Sequence, residues 1–276
     1  MMMATNVQTK RRSDDVEVTP ELRDTAWHEA GHAVAALVLG RAVIEVTIVP
    51  SNGRCGPRLG HCRHHPHFFN HFLRSQPPLG PGDRERIEEE IIISFAGPVA
   101  SWAKARIPKG MPRWGRHDDW ANAYRCADHL ARTFCVPYSR AETHQYLLWL
   151  YRRATALLAH EPHSEAVRSV TRALIANRTL DKEATLAAYN AGLDEWTRDA
   201  QRQVCDYNDW HSPHIPHENL SPEQLLELLP LITAAKSRRW ALMGCSRTMV
   251  STASKALHKA ESALDRHLKT LGLRRH

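Results

Sequence analysis

Between Thr19 and Gly40 apolar residues crowd the chain, with Ala26, Ala30, Ala33, Val34, Ala35, Ala36, Leu37 and Val38 leaving little room for a polar face. A helix that is apolar nearly all round is a buried one. Thr19-Pro20 supplies its start, a hydroxyl N-cap with proline at the first helical position, and Gly40 its end. The next run, Val43 to Val49, is β-branched and broken by Glu45 and Thr47, the signature of a half-buried strand. Pro50 to Pro66 reads as loop, with a short strand around Leu59 to Arg63.

After the turn PPLGPG (77–82), Ile87, Ile91 and Phe95 recur at helical spacing and predict a helix over about 83–96. Gly97-Pro98 is expected to kink or end it, with a second helix from about Val99. Another helix should open at Asp118 or Asp119, and three more at about 140–159, 164–177 and 181–191. Past Gly192 the pattern changes. Residues 206–219 form a proline- and histidine-rich connection, Ser221-Pro222-Glu223-Gln224 makes a capping box, and about 236–276 is basic and helical. The expected architecture is mainly α with a small β element. It divides into a flexible tail (1–15), a principal domain (16–192) and a basic helical C-terminal extension (193–276).

The 276 residues are 42% hydrophobic and 24% charged, enough apolar content for a real core and too much for a disordered chain. The most apolar run, from Ala33, is interrupted by Arg41 and Glu45, short of the roughly 20 residues a membrane span needs. Lys10, Arg11 and Arg12 precede no apolar stretch, so no secretory signal is read, and a cytoplasmic location is the expectation. The six cysteines lack C-x-x-C spacing and are expected as free thiols. A formal net charge of +7 permits an acidic partner.

His28-Glu29-Ala30-Gly31-His32 is H-E-x-x-H. On a helix the two histidines share one face and can reach a single zinc ion, and Glu29 beside the first can take a proton from water at the metal. The plain alternative is a polar stripe on an exposed helix, but the apolar neighbours bury this one, and buried polar groups need partners. A catalytic zinc needs a third protein ligand. The metzincin continuation is excluded, because position 38 is Val38.

AWHEAGHAVAALVLG followed by VIEVTIVP resembles the peptidase domain of the membrane-anchored, ATP-dependent FtsH proteases (peptidase family M41). SFAGPVASWA (94–103) resembles the family's small-residue helix turn, with Pro98 where arginine is usual. HDDWANAYRCA (117–127) resembles the segment whose aspartate provides the third zinc ligand, and ALLAHEPHSEAVRSVTRALIANRTLDKEA (156–184) its closing helices and TLD turn. The resemblance covers roughly residues 20–190 and implies a zincin-like HExxH helix in an M41-like helical peptidase domain. It implies Zn2+ held by His28, His32 and Asp119, with Glu29 catalytic. Asp119 fits the family pattern through Trp120, Ala123 and Ala127, leaving Asp118 as N-cap; the alternative swaps the two aspartates. The family also pairs substrate with an edge strand, which Leu59, Gly60, His61 and Cys62 would supply here.

No G-x-x-x-x-G-K-[ST] phosphate loop occurs in the chain, so the expected enzyme is a stand-alone, ATP-independent zinc endopeptidase acting on flexible or unfolded polypeptides. GHCRHHPHFFNH (60–71), with Cys55 nearby, is read as a histidine-rich loop rather than a second metal site. Glu88, Glu89 and Glu90 are read as solvated first turns of a helix. In the extension, Lys236, Arg238, Arg239, Arg247, Lys255, Lys259, Arg266, Lys269, Arg274 and Arg275 outweigh Glu261 and Asp265, which admits nucleic acid as a partner. The alternative to an enzyme is a non-catalytic protein that binds DNA or another partner on a peptidase-like scaffold.

Overall fold

The computed structural model describes residues 18–53, 56–65, 81–104, 118–133, 139–208, 215, 220–243 and 250–273. The N-terminal tail, Cys55, His67, His71 and the side chain of Asp118 lie outside them. The chain divides into two compact units, residues 1–189 and 190–276. The described residues are mainly helical, with eight helices and a small antiparallel sheet. No helix among them is long and apolar enough to cross a membrane.

The first unit is built around α1 (Pro20–Val38). Thr19 Oγ1 caps it, accepting from the Leu22 N–H at 3.2 Å, and Pro20 occupies the first turn. It closes on a Schellman motif, in which the N–H of Gly40 reaches Leu37 O and that of Arg41 reaches Ala36 O. Gly40 takes φ +72°, a conformation that favours glycine. The buried length of α1 packs on α2 (Pro81–Lys104) and α5 (Glu161–Asn177). At Gly31 the approach to α2 is close: a Cβ there would stand 2.5 Å from Ala96 O and 2.6 Å from Ala100 Cβ.

The break expected at Gly97-Pro98 does not occur; α2 runs unbroken from Pro81 to Lys104. Proline in a helix interior costs about 3 kcal/mol. Every residue from Ile91 to Ala100 is buried, and this packing offsets that cost. α3 (Asp118–Thr133) and α4 (Arg140–Ala159) pack on α2, with Trp120 between Phe95 and Tyr151 at centroid distances of 4.3 and 6.1 Å. Ser139 and Glu142 form a capping box at the start of α4.

β1 (Val43–Thr47) is the centre of a three-stranded antiparallel sheet, between β4 (His61–His64) and β5 (Thr179–Asp181). β2 (Ser51–Gly53) and β3 (Gly56–Arg58) form a short hairpin between β1 and β4, where loop was expected. The TLD segment, expected as a turn, is a strand that pairs Leu180 with Val46. α6 (Lys182–Asn208) passes through Gly192, where a stop was expected, and its residues 190–208 belong to the second unit.

That second unit also holds α7 (Pro222–Met243) and α8 (Val250–Thr270), which pack on each other. The predicted capping box is present: Ser221 N–H donates to Gln224 Oε1 at 2.8 Å and Gln224 N–H to Ser221 Oγ at 3.3 Å. Trp196, Val204, Leu225, Leu228, Leu264 and Leu268 are among its core residues.

Candidate metal centre

His28 and His32 lie one turn apart on α1, and Asp119 enters from the first turn of α3. His28 Nε2 is 2.9 Å from Asp119 Oδ2 and 3.1 Å from His32 Nε2; His32 Nε2 is 3.5 Å from Asp119 Oδ1. One ligand atom from each residue thus falls within 4.8 Å of the others, a group that can hold a metal ion. Ligands at about 2.0–2.1 Å from a tetrahedral ion lie about 3.3 Å apart; the separations seen here bracket that value, with the two imidazoles facing different oxygens of Asp119.

The ring orientations agree with that use. His32 Nδ1–H donates to Ile93 O at 2.7 Å. Ser101 Oγ gives its hydrogen to Gly97 O at 3.1 Å and so accepts from His28 Nδ1–H at 3.3 Å. With both Nδ1 atoms spent as donors, neutral rings turn their Nε2 lone pairs toward the carboxylate. Two lone pairs and an anion facing one another call for positive charge between them. Gly97 leaves the room: a Cβ at this position would collide with His32 Nε2 and lie 2.8 Å from His28 Nε2.

Trp120, Ala123 and Ala127 are buried, and Asn122 Nδ2 donates to Ser94 Oγ at 2.8 Å, which fastens α3 to α2 and presents Asp119. Burial alone would raise the Asp119 carboxyl, but His32 and His28 outweigh it and hold Asp119 well below the usual carboxylate range. Burial pushes His32 down, yet the charge and hydrogen bond of Asp119, with Glu29 behind, bring it up to about 9.

Glu29 is 6% exposed. Burial, reinforced by Asp119 and opposed by His32 and Arg58, raises it to about 7. Gly60 faces it, since a Cβ there would meet Glu29 Oε1 at 3.0 Å and Thr47 O at 2.7 Å. Of the strand residues expected to meet substrate, Leu59 is exposed and precedes β4, while His61 and Cys62 begin that strand. Among the described residues β4 is a sheet edge, paired only with β1. Desolvation and the carboxylates of Glu29, Glu90 and Asp119 push the Cys62 thiol up, so it stays protonated.

The glutamates of α2 differ from expectation: they are half-buried and paired, not solvated. Arg41, turned inward by the Schellman motif, donates to Glu90 at 2.5 Å, to Glu89 at 3.1 Å and to Arg86 O at 2.5 Å. Glu90 also faces His64 at 3.6 Å, and Glu88 accepts from Tyr146 at 2.6 Å. His61 lies 3.2 Å from Glu45. Among the described residues no second histidine, cysteine and carboxylate group has metal-ligand spacing.

Sequence reading missed Ile93, Gly97 and Ser101. A glycine inside an apolar helical run was the available signal for Gly97, since it marks a close approach. Nothing in the pattern marks a main-chain carbonyl. In comparisons with known proteins, the chain matches no family model and no curated protein sequence.

Proposed function

We propose that the chain is a zinc-dependent endopeptidase that hydrolyses flexible or unfolded polypeptides without nucleotide, on a zincin-like scaffold of the FtsH peptidase type. The observation that carries the reading is the convergence of His28 Nε2, His32 Nε2 and the Asp119 carboxylate, with both Nδ1 atoms already committed. Two imidazoles and one carboxylate are a ligand set of catalytic zinc sites, which keep a fourth position open. When bound there, zinc supplies a Lewis acid that polarises the scissile carbonyl and acidifies water.

Glu29 supplies the proton chemistry. Raised to about 7, it is poised to take a proton from the attacking water and return it to the leaving amine near neutral pH. Ile93 and Ser101 hold the histidines to one tautomer. β4 offers an extended peptide main-chain partners beside Gly60 and Glu29, an arrangement that reads backbone rather than sequence.

The test is cleavage of an unfolded protein by the zinc-loaded chain beside two variants, with bound zinc measured separately. Glu29→Gln should keep zinc and lose cleavage by at least about 100-fold, the scale of a general base. His28→Ala should lose both. Full cleavage by the glutamine variant sinks the assignment of Glu29, and absence of zinc binding by the wild type sinks the metal site.

A further inference from the structure

Some exposed arginines of the chain stand beside carboxylates, as Arg84 with Glu88, Arg132 with Asp128 and Arg202 with Asp199, while Arg23, Arg125 and Arg152 stand singly, each without a carboxylate partner among the described residues. α8 differs in gathering such cations on one face. Lys255, Lys259, Arg266 and Lys269 are all exposed, and none of them pairs with a carboxylate among the described residues. At 3.6 residues per turn the four fall within an arc of about 80°, in a row about 21 Å long. Ser262 lies within that face and Thr270 at its edge, and no acid interrupts it.

We infer that this face of α8 is a docking surface for the phosphate backbone of duplex nucleic acid. The opposite face of the helix decides against a lipid surface. Ala260, Leu264 and Leu268 lie there, each at most 5% exposed in the core shared with α7. A helix binds a bilayer by inserting its apolar face, and this one is already spent. Single strands are disfavoured as well, because they are held on stacked aromatic side chains and α8 has none. A straight, rigid row of cations matches a rigid polyanion carrying one charge per about 1.7 Å of its axis. The inference concerns the second unit alone and is independent of the peptidase reading.

The test is fluorescence anisotropy of the full chain with a labelled mixed-sequence DNA duplex, titrated over a range of salt. Four phosphate contacts give a slope of log affinity against log salt of about −3.6, or about 150-fold weaker binding between about 50 and 200 mM. The variant with Lys255→Gln, Lys259→Gln, Arg266→Gln and Lys269→Gln should melt as the wild type does and lose most of that slope. The variant with Lys255→Arg, Lys259→Arg and Lys269→Arg should keep it. No duplex binding at low salt overturns the inference, as does an unchanged slope in the glutamine variant. So does a stripe-dependent affinity for phosphatidylserine vesicles that exceeds the affinity for duplex.

Discussion

His32 Nδ1 donates to the carbonyl oxygen of Ile93 across 2.7 Å, from one buried helix to the next. The acceptor carries no side-chain identity, so the contact survives most changes at position 93. It depends instead on how closely α1 and α2 approach, and Gly31 sets that approach.

Gly97→Ala separates folding from metal binding. Alanine in place of glycine within a helix is favourable by up to about 1 kcal/mol. The new methyl group, however, falls on the Nε2 atoms of both histidines. Relieving the overlap with the buried His32 ring costs about 1–3 kcal/mol, so the expected variant folds, melts somewhat below the wild type and takes up no zinc in calorimetry. Wild-type zinc affinity in this variant would show that the ion does not sit against Gly97.

Ser101→Ala removes the acceptor for His28 Nδ1–H and leaves the ring free to turn. Loss of such an outer partner costs about 10–100-fold in metal affinity. Ser101→Thr restores it, because the hydroxyl returns. A chelator competition read against both variants checks this; equal affinity in all three proteins assigns Ser101 no part in orienting His28.

Zinc uptake is expected to tighten as pH rises. In the metal-free protein His32 stands at about 9 against an ordinary 6.5, and Glu29 at about 7 against 4.5. The raised histidine contributes stability in full below pH 6.5 and loses it as pH rises through about 9. The raised glutamate loses its contribution between about pH 4.5 and 7. Both groups make the metal-free fold weaken with rising pH across this window. Metal must displace the His32 proton, so binding runs the other way. The rise in melting temperature on adding zinc is therefore expected to be larger at about pH 8.5 than at about pH 6. A shift that is the same at both leaves His32 out of the binding equilibrium.

Arg41→Ala strands Glu89 and Glu90 behind the sheet. Arg41 is 3% exposed, and removing one partner from a buried ion pair costs about 3–5 kcal/mol. Glu89 keeps a quarter of its side chain in water, which places the expectation at the low end, about 3 kcal/mol. Adding Glu89→Gln and Glu90→Gln should recover part of the loss in urea denaturation. A single variant within about 0.5 kcal/mol of wild type would mean the glutamates find water instead.

The sequence made α1 legible from end to end, because its cap, its proline, its terminal glycine and its apolar run all agree. HEAGH was readable for the same reason: spacing on one helix fixes which side chains share a face. Bringing Asp119 to that face needed a resemblance, since no local pattern states which of two adjacent aspartates turns inward. β5 was missed because three residues carry no period, and because Arg178, not glycine, takes the φ of +65° that turns the chain into it. The continuous α2 was missed because tertiary packing outweighed a proline, a balance that composition does not show.

β1 has its two neighbours at very unequal distances along the chain. On one side it folds back through a short hairpin onto β4; on the other, Thr47 meets Thr179, 132 residues later. A nascent chain halted before Thr179 therefore holds every residue of the metal triangle yet lacks one flank of its central strand. Synthesis runs from the N-terminus at a few residues per second, whereas local pairing takes microseconds. The sheet beside Glu29 is thus completed only after α5 has been made, so the centre matures late in translation.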